Sequence, residues 1–262
     1  MRTPEYISNM IWERVNDELN KSGARLQTIG VSERGREIVA AHCGEDNGKQ
    51  IIITAGIHAR ECYTALVVLE QIKYMLNRKV SGGAYFVPLV NPDGAEIFER
   101  GNVDWKANAN GIDLNTNFDA RWGTGAQNVH VAGAAGYIGE YPLCAKESRA
   151  LHDFTLSVSP SMTVSYHCMG GELYWEFFQT GKARARDEKI AASIARHIGV
   201  RKVDGDLNSA GGYKDFCVES LHIPAVTIEL LDSGNHPFSP HDFDGATRIN
   251  KDLPEFILGI LD

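Results

Sequence analysis

Three short apolar stretches limit what this chain can fold into: Gln50–Ala55 (QIIITA), Met162–Tyr166 and Ala225–Leu230. The first is β-branched and apolar throughout, as expected for a strand covered on both faces, and the other two read the same way. Ala84–Val90 is a further buried strand closed by a turn at Asn91-Pro92-Asp93-Gly94, and Glu37–His42 is a shorter one. Between them lie segments with helical spacing: Pro4–Leu19, Tyr63–Leu76, Lys146–Val158, Lys182–His197 and Asp244–Leu261. Strands and helices in alternation predict an α/β domain with a largely parallel sheet. No repeat, low-complexity tract or linker divides the chain, so a single domain is expected over residues 1–262. Ligands in such sheets sit beyond the carboxyl ends of the strands, which directs attention to the residues just past each strand.

Composition removes several classes of function. The chain has 26 basic and 34 acidic residues, a net charge of −8, which disfavours a nucleic-acid partner. No run of 18 apolar residues exists, so no membrane span is expected. The opening Met1-Arg2-Thr3-Pro4-Glu5-Tyr6 has no apolar signal core, and the five cysteines form no CxxC pair. A reducing, cytoplasmic location is the expectation.

The first buried strand runs into Gly56-Ile57-His58-Ala59-Arg60-Glu61. In a tight turn, His58 and Glu61 can aim an imidazole and a carboxylate at one point, as two zinc ligands would. The alternative is a helix start where Glu61 only complements the dipole. His167 comes directly after the strand Met162–Tyr166, where it is either a third ligand or a satisfied structural histidine. Glu229 lies within Ala225–Leu230, and a carboxylate among apolar residues needs a partner or a task. Two histidines and a glutamate leave one zinc position open, and a further carboxylate can deprotonate water there; that is the layout of a hydrolytic site. Cys62 and Cys168 adjoin candidate ligands but read as packing residues. Trp105 and Trp122 flank an Asn-rich segment, either lining a cleft or filling core. His130, His152, His197, His222, His236 and His241 share no ligand spacing and receive no role.

These motifs, in chain order, resemble the zinc carboxypeptidase family. His58–Glu61 with the intervening Arg60 matches its HxxE, Asn91–Gly94 its NPDG turn, and Gly111–Phe118 (GIDLNTNF) its GVDLNRNF segment. Ser165-Tyr166-His167 matches the third-ligand strand, and Thr227-Ile228-Glu229 the strand of the catalytic glutamate. The resemblance implies a single-domain carboxypeptidase-like fold, a mostly parallel mixed sheet with helices on both faces. It implies one Zn2+ per chain held by His58, Glu61 and His167, with Glu229 as general base and Asp113 behind a ligand histidine. Arg60 is implied as a substrate contact.

The departures point to a branch. The family's carboxylate-gripping arginine is replaced by Thr116, next to Asn115, and its carbonyl-polarising arginine falls on Lys106. Its mobile tyrosine aligns with Leu207, and the position that selects the leaving side chain with Lys214. Threonine cannot grip a carboxylate in bidentate fashion. WKANANGIDLN and GGYKDF instead resemble the bacterial branch that cuts γ-D-glutamyl-meso-diaminopimelate bonds, so a murein stem peptide is the expected substrate. The alternatives are a carboxypeptidase on ordinary peptides and a non-catalytic module that binds wall peptides.

Overall fold

A computed structural model describes residues 10–205 and 208–261. In chain order its elements are α1 (Ile11–Ser22), β1 (Arg25–Val31), β2 (Glu37–Gly44), β3 (Gln50–Thr54), α2 (Ala65–Met75), β4 (Gly83–Val87), α3 (Pro92–Glu99) and α4 (Lys146–Val158). Next come β5 (Met162–Cys168), β6 (Glu172–Tyr174), α5 (Gly181–Ile198), β7 (Arg201–Val203), α6 (Tyr213–Glu219), β8 (Ala225–Leu230), α7 (Asp244–Asn250) and α8 (Leu253–Leu261).

The strands form one mixed sheet in the order β1-β2-β4-β3-β5-β8-β6-β7. Its centre, β4-β3-β5-β8, is parallel. Antiparallel pairings attach β2 on one side and β6 on the other. Side chains on a strand alternate between faces, and here both faces are covered. Ile51 and Ile53 pack with α1, α2, α5 and α8, whereas Ile52 packs with α4 and α6. That double burial is why Gln50–Ala55 reads as a continuous apolar run.

The expected elements differ from the observed ones for local reasons. The turn at Asn91–Gly94 is the first turn of α3: the Asn91 side chain accepts the Gly94 N–H at 2.9 Å, and Pro92 stands where its missing donor costs nothing. The helix expected over Asp244–Leu261 is two helices, divided just before Pro254. Tyr63–Leu76 begins as a 3-10 turn over Ala59–Thr64 that carries Glu61. Of Pro4–Leu19, residues 4–9 lie outside the described part. The strands β1, β6 and β7 and helix α6 carry no strong periodicity, and the sequence pattern does not announce them.

Between α3 and α4 the chain runs through a long segment with almost no regular structure, held by asparagines. Asn108 accepts the N–H groups of Asn110 and Ile112 and donates to Glu147 Oε2 at 2.9 Å. Asn117 donates to the Ile138 carbonyl and accepts from Ala145 N–H and Ser148 Oγ. Both are fully buried, so these bonds replace the ladder that a strand would supply. Gly211 closes this segment against α6. Its φ is +81°, and a Cβ there would lie 2.6 Å from the Thr116 carbonyl oxygen. Gly211→Ala is therefore expected to lose about 2–4 kcal/mol of stability, from backbone strain and overpacking combined. A denaturation midpoint unchanged from the parent protein would contradict this account.

Candidate metal centre

The chain leaves β3 through Ala55-Gly56-Ile57 and places His58 immediately before the 3-10 turn. Two contacts set that exit. Ala59 N–H donates to the Lys106 carbonyl at 3.0 Å, and the Asn91 amide donates to the carbonyls of Ile57 and Ala107, each at 3.1 Å. Gly94 lets Asn91 reach them, because a Cβ at 94 would sit 2.6 Å from the Ala107 oxygen. The Asn-Pro-Asp-Gly motif thus ties the histidine loop to the segment that carries Lys106.

His58, Glu61 and His167 converge, all buried. His58 Nδ1 lies 2.9 Å from Glu61 Oε1 and 3.2 Å from His167 Nδ1, and His167 Nδ1 lies 3.2 Å from Glu61 Oε2. His167 ends β5, the neighbour of β3, so two adjacent parallel strands deliver the two imidazoles. On its other side, His58 Nε2 is 3.2 Å from Asp113 Oδ1, and Lys106 Nζ is 2.8 Å from Asp113 Oδ2.

These distances suit a zinc ion. Tetrahedral bonds of about 2.0–2.1 Å place ligand atoms about 3.3 Å apart, close to the separations seen. The two facing Nδ1 atoms, each also against a Glu61 oxygen, make a donor set that fits a cation. Asp113 takes the opposite nitrogen of His58, which fixes the tautomer that leaves Nδ1 free to ligate. The electrostatics agree. Burial works against the Glu61 carboxylate, but His58 and His167 hold its pKa well below the usual carboxylate range. Asp113 is likewise held low despite burial, by Lys106 and His58. His58 is raised against burial, chiefly by Glu61. The cluster therefore attracts positive charge.

Glu229 stands opposite His167 in the β5/β8 register. Burial pushes its carboxyl up to about 7; His167 opposes that rise and the Glu61 charge adds to it. A divalent cation held at the triad would oppose that rise. Beside Glu229 opens a cavity of about 210 Å³ whose wall includes Asn115, Tyr174, Thr227, Lys214 and Asp215. Lys214 Nζ donates to the Glu176 carbonyl at 3.0 Å and to Asp215 Oδ1 at 2.6 Å.

The remaining expected residues surround this centre at varying removes. Asn115 accepts the Tyr213 N–H at 3.1 Å, anchoring α6 beside the cavity. Thr116 donates to the Asp113 carbonyl at 2.8 Å and does not line the cavity. Lys106 is committed to Asp113 and thereby to the orientation of His58. Arg60 sits on the 3-10 turn with its Nε buried and unpartnered. Leu207 lies outside the described residues. Cys62 and Cys168 are buried, and burial raises both thiols. Trp105 packs on the core and Trp122 donates to the Ile138 carbonyl, so neither lines the cavity. One histidine to which the sequence gives no role, His236, lies against this site: its Nε2 is 3.3 Å from the Cys168 carbonyl. The signal that could have found it is its place in the loop leaving β8, at the carboxyl edge of the sheet.

The fold and the triad are those of a zinc-carboxypeptidase-type domain. A family model described as zinc carboxypeptidase matches residues 12–253, and the chain belongs to that family. Among curated relatives, gamma-D-glutamyl-L-diamino acid endopeptidase 1 of Lysinibacillus sphaericus is 28% identical over 251 residues, covering 82% of this chain and 62% of that protein. Inactive metallocarboxypeptidase ECM14 of Saccharomyces cerevisiae is 25% identical, covering 81% and 60%. The chain thus spans about three fifths of the length of these relatives. Among solved structures, bovine thrombin-activatable fibrinolysis inhibitor, in complex with tick carboxypeptidase inhibitor, superposes with a TM-score of 0.81 at 18% identity, covering 96% of this chain and 95% of that one. Murein-tripeptide amidase MpaA from Escherichia coli O157 gives 0.65 at 21%, covering 89% and 94%.

Two substitutions test the metal centre. His167→Ala is expected to lose most of the zinc while the domain stays folded, measured by metal analysis beside circular dichroism. Asp113→Asn should keep the ligands but weaken zinc binding about 10- to 100-fold in competition with a chelator. Full occupancy in the first variant would remove His167 from the ligand set.

Proposed function

We propose that the protein is a zinc-dependent amidase acting on murein-derived peptides, at the bond between a γ-D-glutamyl residue and meso-diaminopimelate. The observation that carries this reading is the cavity in which Glu229 shares a wall with the buried pair Lys214–Asp215. Lys214 has three donors and spends two on Glu176 and Asp215, which leaves one to receive a ligand carboxylate. Asp215 offsets its charge, so the pocket offers a cation and an anion side by side. The far end of a diaminopimelate side chain, with its ammonium and carboxylate, is complementary to such a pair; a lysine side chain carries only the ammonium. The name of the Lysinibacillus relative, an endopeptidase for gamma-D-glutamyl-L-diamino acids, supports the same substrate class.

His58, Glu61 and His167 would hold the zinc ion, which when bound supplies Lewis acidity toward water and the scissile carbonyl. Glu229 takes the proton from the attacking water and returns it to the leaving amine. Asp113 keeps His58 in the ligating tautomer, and Lys106 keeps Asp113 ionised. Thr116 offers no fork for a terminal carboxylate, so the carboxypeptidase reading lacks its anchor. The non-catalytic reading is opposed by the presence of all three ligand side chains together with Glu229.

Glu229→Gln retains shape and hydrogen bonding but cannot accept the proton. Its kcat should fall by about 10²- to 10⁴-fold with zinc content unchanged. For specificity, a charge-assisted hydrogen bond of about 1.5–3 kcal/mol converts to a preference of roughly 10- to 150-fold in kcat/KM for the diaminopimelate peptide over its lysine analogue. Lys214→Met should remove that preference by slowing the diaminopimelate peptide alone. Equal cleavage of both peptides by the parent enzyme would refute the substrate assignment.

A further inference from the structure

The third donor of Lys214 points where the other two allow, so its aim depends on what fixes their acceptors. Asp215 is held by the Gly212 N–H, which donates to its Oδ2 at 3.0 Å. The other acceptor, the Glu176 carbonyl, belongs to the peptide group that joins Glu176 to Phe177. The N–H of that same group donates to Gln179 Oε1 at 2.6 Å, while its carbonyl accepts Lys214 Nζ at 3.0 Å. The bond is trans, and a planar trans peptide directs its N–H and C=O to opposite sides. Turning one end turns the other, so Gln179 sets the direction of the carbonyl that Lys214 meets. Engaging the N–H also polarises the group and strengthens its oxygen as an acceptor.

Gln179 is itself fixed. Phe178 has φ +56°, a left-handed step that turns the chain back, and the Gln179 amide then brackets Glu176. Its Oε1 receives the Phe177 N–H, and its Nε2 donates to the Trp175 carbonyl at 3.2 Å. Nε2 also donates at 3.3 Å to Asp187 Oδ2, on a buried carboxylate of α5 whose Oδ1 accepts Arg186 Nε at 2.7 Å. The other polar contacts of this stretch hold side chains: the Glu176 carboxylate accepts Arg184 Nε and the Gly205 N–H, and the Trp175 indole donates to Asp204. Among the described residues, they leave the peptide group between 176 and 177 to Gln179 and Lys214. Gln179 does not line the cavity of Glu229 and Lys214; it lines a separate hollow with Phe177, Asp187 and Val218.

Resting on the substrate reading above, we infer that Gln179 is a positioning residue for specificity, which through one peptide group aims the free donor of Lys214 at the carboxylate of the diaminopimelate side chain. Selectivity for diaminopimelate over lysine then depends on a side chain that does not meet the substrate.

The test measures kcat/KM for the γ-D-glutamyl-meso-diaminopimelate peptide and its lysine analogue, using the zinc-loaded protein. The same folded molecules cut both, so their ratio is insensitive to a loss of folded protein. Gln179→Ala should lower the diaminopimelate preference about 2- to 12-fold, the range for one neutral hydrogen bond, with the change in KM and zinc content as in the parent. Gln179→Glu keeps an oxygen for the Phe177 N–H but sets a second carboxylate against Asp187, and should lower the preference as well. Adding Asp187→Asn supplies a donor there and should restore most of it. In a Lys214→Met background, Gln179→Ala should leave the ratio where it stands. A preference unchanged by Gln179→Ala, not restored by Asp187→Asn, or altered further in the Lys214→Met background overturns the inference. If the parent protein cuts both peptides equally, or neither, the substrate reading falls, and the action of Gln179 on Lys214 is read from stability instead. The denaturation midpoints of Gln179→Ala, Lys214→Met and the double variant should then be non-additive, since both side chains hold one peptide group; additive shifts overturn the inference.

Discussion

Glu61 carries a carboxylate into a place with little access to water, and a charge there has to be met by donors or by a cation. It is met by two imidazoles and by the Cys168 N–H at 3.2 Å. Each imidazole in turn imposes demands on its surroundings. His58 requires Asp113, Asp113 requires Lys106, and Lys106 lies on the segment tied to the β3 exit by Asn91. Traced outward, the chain of obligations reaches α3, the asparagine-held segment and α6. The mixed sheet supplies the remaining constraint by setting β3 and β5 side by side, so that their ends deliver both histidines. Replacing any one of these polar groups by an apolar one leaves its partner buried and unpaired, a larger penalty than the bond itself contributes.

The parts of this arrangement that are legible in the sequence are those with a periodic or positional signature. Buried parallel strands show as apolar runs, and chemistry concentrates where they end, so His58, Glu61, His167 and Glu229 stand out before any coordinates are known. Lys146–Val158 and Ala225–Leu230 appear at their observed bounds because their patterns are uninterrupted. The segment around Asn108 and Asn117 is opaque for a physical reason: side chains contacting distant backbone groups hold it, and such bonds leave no period. Helix α6 is hidden by burial, since Tyr213 through Val218 are all covered and no polar face remains to mark a helix. The Lys214–Asp215 pair is half visible. A lysine at the specificity position suggests a free cation, and only the three-dimensional contact shows that its neighbour balances the charge.

That balance changes what the pocket can offer a ligand. An isolated buried cation would attract any anion and would be costly to keep dry. A cation held by an adjacent carboxylate and a backbone carbonyl has a fixed direction and one donor left to offer, so recognition depends on geometry more than on net charge.

The two histidines, one just past β3 and the other on β5, stand 109 positions apart in the chain. Pairing distant parallel strands requires loop closure before any contact compensates for it, which makes such a sheet slow to assemble. The ion-binding cluster does not exist until that pairing is complete, so a zinc ion finds its site only in the finished domain. Its stabilising effect then falls on the native state and not on the barrier that precedes it. An ion held there acts as a latch, lengthening the lifetime of the folded protein without hastening its formation.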